Sequence, residues 1–232
     1  MTEKEEKPSA SPTERLLSVE RLDPIDSRSL NLPNLITLSR LLLAIVVFIL
    51  IDIEGLWITA AVIFVVAAST DFLDGFIARR YGLVTTLGRI LDPFVDKIII
   101  CGAFVFLLGK NTTVIGSETL LAGELLDSGV NDWMVIIIIA REMYVTSLRG
   151  FLEKYGHDFS AEWSGKVKMV LQCIAITVSL LSLSPIIRDS DYAPWFFYMR
   201  DILLWTTVAV TIYSGMTYTY RAVIMLRTDD SK

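Results

Sequence analysis

Long apolar runs separated by short polar segments make up the chain after about its first 30 residues. Each run approaches the roughly 20 residues that an α-helix needs to cross the hydrocarbon core of a bilayer. Six runs qualify as candidate membrane-spanning helices, at about residues 33–53, 55–79, 93–110, 132–152, 166–186 and 195–223. The pattern therefore predicts an all-α, polytopic membrane protein with six transmembrane helices.

The first 30 residues have a different character, since they are rich in charge, Ser and Pro and contain no apolar core. They do not resemble a signal peptide, and we expect a disordered segment or a short amphipathic helix over residues 13–25, lying on the membrane surface. The predicted organisation is a cytoplasmic N-terminal segment at 1–30, a six-helix domain at 31–225 and a short tail at 226–232.

The distribution of Lys and Arg predicts the orientation, because cytoplasmic loops carry an excess of both. The predicted cytoplasmic segments contain Arg79, Arg80, Arg89, Arg149, Lys154, Lys166, Lys168, Arg221 and Arg227. The opposite loops contain only Lys110 and Arg188. Both termini are therefore predicted to face the cytoplasm.

Composition excludes some classes of protein. The formal net charge of −5 argues against a nucleic-acid partner. The two cysteines, Cys101 and Cys173, lie inside apolar runs, where thiols usually serve as small packing groups. The only histidine, His157, is expected in a loop, so no Cys/His metal site is predicted.

Four aspartates, Asp71, Asp74, Asp92 and Asp96, lie at the end of the second run and the start of the third. A charged side chain near the bilayer centre costs roughly 2.5–3.5 kcal/mol on insertion scales. Four neighbouring carboxylates also repel one another unless cations or protons share the site. The alternative, that each acid caps a helix or pairs with an arginine, explains one aspartate better than four.

The spacing predicts a helix hairpin that brings the acids together. Asp92 is expected to cap a helix whose first turn contains Pro93. Gly82 and Gly88 are expected to break the segment before it into a short cytoplasmic turn. The acids of the second and third helices would then face each other across the hairpin.

Carboxylate oxygens suit hard cations, so Mg²⁺ or Mn²⁺ is predicted rather than zinc. Two such ions would clamp a phosphoryl group during in-line displacement. Arg79, one turn beyond Gly75, is placed to pair with a further phosphate oxygen. The cluster thus predicts a metal-dependent phosphoryl-transfer site at the cytoplasmic membrane surface.

The aspartate run resembles the signature of the CDP-alcohol phosphatidyltransferase family. It matches without a gap or substitution at Asp71, Asp74, Gly75, Ala78, Arg79, Gly88, Asp92 and Asp96. The resemblance implies a six-helix membrane enzyme, usually a homodimer, that moves a phosphatidyl group from a CDP-linked lipid to an alcohol and releases CMP. The six apolar runs also match the layout of the family, so the resemblance covers about residues 30–225.

The resemblance also implies roles for individual residues. Asp71, Asp74, Asp92 and Asp96 would bind the metals, and Asp96 would also act as the general base that deprotonates the acceptor hydroxyl. The implied contacts to the CDP-lipid are Asn34, Thr37, Gly75, Ala78, Arg79 and Gly88.

Three further segments, 31–40, 140–149 and 164–172, resemble those of family members that use glycerol 3-phosphate as the acceptor. Met169 stands where those members usually have Thr. The implied reaction is transfer from CDP-diacylglycerol to glycerol 3-phosphate, giving phosphatidylglycerol phosphate and CMP. The alternatives are another acceptor, such as inositol phosphate or serine, and a cation channel or transporter, which would place its acids nearer the bilayer midplane.

Glycerol 3-phosphate is a dianion, and four cationic residues are predicted to bind its phosphate: Arg141, Arg149, Lys166 and Lys168. Arg141 follows an apolar run, where an unpaired charge is costly. Its pairing with Glu142 is not expected, because adjacent helix residues do not face each other. The alternative for the lysines is anchoring beside lipid headgroups, which is favoured for Lys154.

Overall fold

The computed structural model describes residues 32–81, 86–110, 126–154 and 163–229. At residues 32–37, 71–81, 86–93, 153–154, 164 and 228–229 it describes the helix backbone only. All regular structure within these residues is helical. The helices are α1 (Leu32–Asp52), α2 (Trp57–Tyr81), α3 (Thr86–Leu108), α4 (Asp132–Lys154), α5 (Trp163–Ser182), α6 (Pro185–Arg188) and α7 (Ala193–Asp229). The all-α prediction is confirmed. The predicted N-terminal segment and His157 lie outside the described residues.

The six long helices follow the six apolar runs, and α6 is a single turn between the last two. One predicted boundary is wrong. Because α3 begins at Thr86, Pro93 and Gly88 lie inside it, so Asp92 is not its N-cap and Gly88 is not in a turn. The physical reason is an apolar stripe that continues the helix back through the proline, with Leu87, Ile90, Leu91 and Phe94 at i, i+3, i+4 and i+7.

Helix α5 lies at the centre of the bundle and packs against α2, α3 and α7. Helix α1 packs against α2 and α3, while α4 packs against α3 and α7. The main apolar cluster draws on all six long helices; its large buried side chains include Phe64, Phe104, Ile138, Ile176 and Leu204. Cys173 packs against this cluster, in agreement with its predicted packing role. A second apolar cluster joins α4 to α7 through Val145, Leu152, Tyr218 and Ala222.

Large apolar side chains also cover the outward faces of the helices. On α1 they include Leu42, Ile45, Val46 and Ile49, each at least 44% exposed. Monomeric soluble proteins rarely expose apolar patches this extensive, so the outer surface suits a lipid environment. Among the described residues, the window Gly165–Ser182 of α5 is long and apolar enough to cross a membrane.

A buried arginine clamps the end of the bundle opposite the aspartates. Arg200 is 2% exposed and donates to the Asp127 backbone oxygen at 2.6 Å and to its carboxylate at 3.0 Å. It also contacts Ser182 at 3.2 Å and Asp201 at 2.9 Å. Gly129 has a φ of +75°, and a Cβ added there would lie 2.5 Å from the Arg200 Nε, so the clamp requires glycine. The clamp ties the segment before α4 to α5 and α7.

Candidate active site

The backbones of α2 and α3 carry the aspartates on unbroken helix. Helix α2 runs through Asp71 and Asp74, and α3 runs through Asp92 and Asp96. The side chains of the first three lie outside the described residues, as do those of Asn34, Thr37, Ala78 and Arg79. That the carboxylates face one another therefore stays a prediction.

Asp96 forms the ion pair that joins α3 to α1. Its carboxylate lies 2.6 Å from NH1 of Arg40, and the side chains are 33% and 7% exposed respectively. A small cavity beside this pair is also lined by Ala67 and Ala68 of α2 and by Met169 of α5. Asp71 follows Ala67 by one helical turn, so the cavity adjoins the start of the aspartate run.

The donor set fits a hard divalent cation. The described residues contain no group of three or more His, Cys, Asp or Glu side chains that would hold a metal. The continuous helices nevertheless keep Asp71 three residues from Asp74 and Asp92 four residues from Asp96, so each pair lies on one face of its helix. Every donor in this set is a carboxylate oxygen, which matches Mg²⁺ or Mn²⁺ chemistry.

A polar layer separates the two apolar clusters of the bundle. Its centre is Glu142, which is 8% exposed and forms an ion pair with the ammonium group of Lys168 on α5. Glu142 also accepts from NH1 of Arg141 at 3.3 Å. The expectation that Arg141 would not pair with its neighbour is therefore wrong. The side chains of Arg141 and Glu142 are long enough to bend toward each other along α4. The buried Glu142 carboxylate thus pairs with one cation from α4 and one from α5.

Helix α7 holds the two arginines of α4. NH2 of Arg141 donates to Ser214 Oγ at 2.7 Å, and NH2 of Arg149 donates to Tyr218 Oη at 3.5 Å. Both guanidinium groups also lie over the Tyr218 ring. The Nε atoms of Arg141 and Arg149 are buried and have no acceptor among the described residues. Buried donors without partners are costly, and an anionic ligand would satisfy them.

The structure separates the four residues that were predicted to bind the acceptor phosphate. It brings together Arg141, Arg149 and Lys168, which we call the basic cluster. Lys166 is exposed and lies about 200° around α5 from Lys168, so it points away from the cluster.

Sequence reasoning missed two residues near the basic cluster. Lys97 directly follows Asp96 and interacts electrostatically with Glu142 and Arg149. Gln172 lies one turn beyond Lys168, is 1% exposed, and its amide nitrogen has no acceptor in the described part of the chain. The signal for Lys97 was a second charge beside Asp96 within an apolar run. The signal for Gln172 was its place in the 164–172 segment.

The chain is similar to proteins named CDP-diacylglycerol–glycerol-3-phosphate 3-phosphatidyltransferase. The protein from Bacillus subtilis (strain 168) is 33% identical over 202 residues, covering 81% of this chain and 93% of that protein. The one from Rickettsia felis is 31% identical over 190 residues, with coverage of 81% and 93%. The one from Shigella flexneri serotype 5b is 30% identical over 196 residues, with coverage of 81% and 92%.

The sequence model of one family, described as CDP-alcohol phosphatidyltransferase, matches residues 30–213. This range contains the aspartate run, the basic cluster and most of the helical bundle. The chain belongs to the CDP-alcohol phosphatidyltransferase family.

Proposed function

We propose that the protein transfers the phosphatidyl group of CDP-diacylglycerol to glycerol 3-phosphate, giving phosphatidylglycerol phosphate and CMP. The observation that carries this proposal is the position of α3 between two sites of opposite charge. Asp96 on α3 pairs with Arg40 of α1, while α3 also packs against α4 and α5, which carry the basic cluster. A site for a metal-bound pyrophosphate would thus adjoin a site for a second phosphate. The names of the similar proteins support the same substrates.

The CDP-lipid would bind at the aspartate end of α2 and α3. Asp71, Asp74, Asp92 and Asp96 would hold two divalent cations, Mg²⁺ or Mn²⁺, and the ions would supply charge that neutralises the pyrophosphate. The proposed contacts to the rest of the CDP group are Asn34, Thr37, Gly75, Ala78, Arg79 and Gly88.

An apolar cavity of about 610 Å³ between α2 and α5 supports a lipid substrate. Its wall includes Val65 and Ala68 of α2 and Val170 and Ile174 of α5. Ala68 also lines the small cavity beside Asp96. An acyl chain bound here would leave its headgroup beside the aspartate run.

The acceptor phosphate would bind the basic cluster. Buried cations interact with a dianion more strongly than exposed ones, because the surrounding dielectric constant is lower. Arg141 and Arg149 each have a buried Nε donor without an acceptor among the described residues, and the Lys168 ammonium on α5 pairs with Glu142, the neighbour of Arg141. Lys166, on the exposed side of α5, would add only long-range attraction.

The proposed reaction moves one proton and exchanges one phosphorus–oxygen bond. Asp96 accepts the proton of the acceptor hydroxyl as that oxygen attacks the phosphorus that carries diacylglycerol. The bond from this phosphorus to the bridging oxygen breaks, and CMP leaves with the bond electrons. Arg40 orients the Asp96 carboxylate through their 2.6 Å ion pair.

We also propose a membrane topology and an oligomeric state for the enzyme. The six long helices would cross the membrane with both termini and the active site on the cytoplasmic side, where nucleotide-linked substrate is available. The protein would act as a homodimer, as the family resemblance implies.

A reconstituted assay tests the proposed activity. Purified protein in lipid vesicles should release CMP only when CDP-diacylglycerol, glycerol 3-phosphate and Mg²⁺ or Mn²⁺ are all present. A chelator should abolish the release, and added metal should restore it. Undiminished CMP release in chelator would contradict the metal site, and no release with all components present would contradict the reaction.

A further inference from the structure

Tyr218 lies where the two arginines of the basic cluster meet α7. Its side chain is 1% exposed, and the chemistry proposed above gives it no role. We propose that Tyr218 is a positioning residue, which makes the guanidinium groups of Arg141 and Arg149 converge on the acceptor phosphate. This inference rests on the proposed function, because it concerns the binding of the second substrate.

The separation of the two arginines along α4 creates the need for such a residue. Eight residues of helix place their Cα atoms about 12 Å apart along the axis. Two side chains this far apart reach one phosphate only if both turn toward a common point. Arg141 lies 5.6 Å and Arg149 5.9 Å from the centroid of the Tyr218 ring. Cation–π attraction to one ring therefore draws both charges together.

Hydroxyl groups on α7 fix the orientation of each guanidinium group. Tyr218 Oη accepts from NH2 of Arg149, and Ser214, one turn earlier, accepts from NH2 of Arg141. In both arginines NH2 is thereby engaged, while Nε is buried and has no acceptor among the described residues. Helix α7 thus holds each guanidinium group by one nitrogen and leaves another donor for a ligand.

Helix α5 fixes the position of the tyrosine hydroxyl. A Cβ atom added at Gly165 would lie 3.1 Å from Tyr218 Oη, closer than side-chain atoms usually approach. Glycine at this position lets the hydroxyl lie against the first turn of α5. The contact explains a glycine two residues into a helix, where glycine otherwise costs stability.

The hydroxyl is more than a packing group. Tyr218 belongs to the second apolar cluster, with Val145, Leu152 and Ala222. A phenylalanine would fill the same volume and keep the ring beneath both arginines. It would lack the oxygen that Arg149 contacts, so Tyr218→Phe separates positioning from packing.

The test uses the full-length protein in lipid vesicles, with CMP release measured against each substrate in turn. Tyr218→Phe should raise KM for glycerol 3-phosphate about tenfold, as expected for a lost hydrogen bond to a charged group. KM for CDP-diacylglycerol should not change, and Tm should fall by at most about 5 °C, since the ring packing is kept and one hydrogen bond is lost. Tyr213→Phe, on an exposed face of the same helix, is the matched control and should leave every parameter unchanged.

Gly165→Ala supplies a second variant with a distinct signature. Alone, it should displace the hydroxyl and raise KM for glycerol 3-phosphate about threefold, a smaller effect than removal of the bond. In the Tyr218→Phe background the clashing oxygen is absent, so the same substitution should have no further effect. Additive effects of the two substitutions, or equal changes in both KM values, would overturn the inference.

A binding measurement separates this inference from the proposed reaction. Inorganic phosphate should raise Tm of the wild-type protein and should do so less in Tyr218→Phe. If phosphate raises Tm more in the wild type than in Tyr218→Phe but the wild type releases no CMP, the proposed reaction is wrong and the positioning role stands. If CMP is released but Tyr218→Phe keeps the wild-type KM, the positioning role is wrong and the reaction stands. No effect of phosphate on the wild type would overturn the positioning role.

Discussion

At the residue scale, buried cations of this protein are held by partners on other helices or on the segment before α4. The pairs are Arg40 with Asp96, Lys168 with Glu142, and Arg200 with Asp127. In each pair the cation is buried, so removing its acid would leave an uncompensated buried charge. Two of the three lie at the proposed active site and one at the opposite end of the bundle.

Asp96→Asn should remove the proton acceptor while preserving shape. We expect turnover to fall about 10²- to 10⁴-fold, the range of general-base contributions. Binding of CDP-diacylglycerol, measured by equilibrium dialysis, should weaken far less than turnover falls, because Asp71, Asp74 and Asp92 remain to hold the metals. Asp52→Asn is the control. Asp52 is the last residue of α1, about three turns beyond Arg40, and its side chain is 75% exposed. Wild-type turnover in Asp96→Asn would remove the assigned role.

Lys168 and Lys166 form a natural matched pair on α5. Lys168→Met should raise KM for glycerol 3-phosphate about tenfold or more, because a buried charge beside Arg141 is lost. Lys166→Met removes an exposed charge and should change KM for glycerol 3-phosphate about twofold or less. Steady-state CMP release measures KM in both variants. Equal effects of the two substitutions would contradict the location of the acceptor site in the basic cluster.

At the element scale, apolar run length and periodicity predict the long helices well, since a helix in lipid must satisfy its own backbone. The six predicted runs correspond to α1–α5 and α7. The end of α7 at Asp229, beyond the predicted domain boundary at residue 225, was not predicted, because its last turns carry a mixed sequence. The predicted start of α3 is wrong because the apolar stripe on both sides of Pro93 continues the helix, although proline favours a first turn.

The candidate site was predicted only in part, because spacing along one helix does not determine partners across helices. The aspartate run and Arg141 stand out from their apolar surroundings. The hydrogen bonds of Arg141 to Ser214 and of Arg149 to Tyr218 depend on how α4 packs against α7. The buried polar residues of α7, Thr207, Thr211, Ser214 and Tyr218, do follow one face of that helix. Their spacing does not say which helix this face meets, so their role becomes visible only in the packed bundle.

Arg200→Met tests the clamp at the far end of the bundle. Several hydrogen bonds are lost, while Asp127 and Asp201 remain partly exposed and can be hydrated. We expect Tm to fall by about 5 °C, in line with a loss of ~2 kcal/mol. KM for both substrates should be unchanged. Arg227→Met, on an exposed position of α7, should leave Tm as it is. A wild-type Tm in Arg200→Met would show that the clamp contributes no stability.

At the scale of the whole molecule, the bundle consists of two apolar clusters with a polar layer between them, and of an apolar outer surface. Helix α7 has 37 residues and would be about 55 Å long, well beyond the ~30 Å hydrocarbon core. It is therefore too long to lie wholly within the hydrocarbon core, and its last turns carry the basic residues Arg221 and Arg227.

Cysteine labelling in oriented vesicles tests the proposed topology. Ser190→Cys, in the segment before α7, should react with a membrane-impermeant maleimide only in right-side-out vesicles. Ser231→Cys, near the C-terminus, should react only in inside-out vesicles. Cys101 and Cys173 are half-buried and provide the background, which the wild-type protein measures. Labelling of both introduced cysteines from one side would contradict six crossings with this orientation.

The choice of acceptor alcohol tests the central claim most directly. Purified protein with CDP-diacylglycerol and Mg²⁺ or Mn²⁺ should be given glycerol 3-phosphate, inositol phosphate or serine at equal concentration, with CMP and the lipid product measured together. We predict CMP and phosphatidylglycerol phosphate with glycerol 3-phosphate alone. A lipid product from inositol phosphate or serine, with none from glycerol 3-phosphate, would contradict the account.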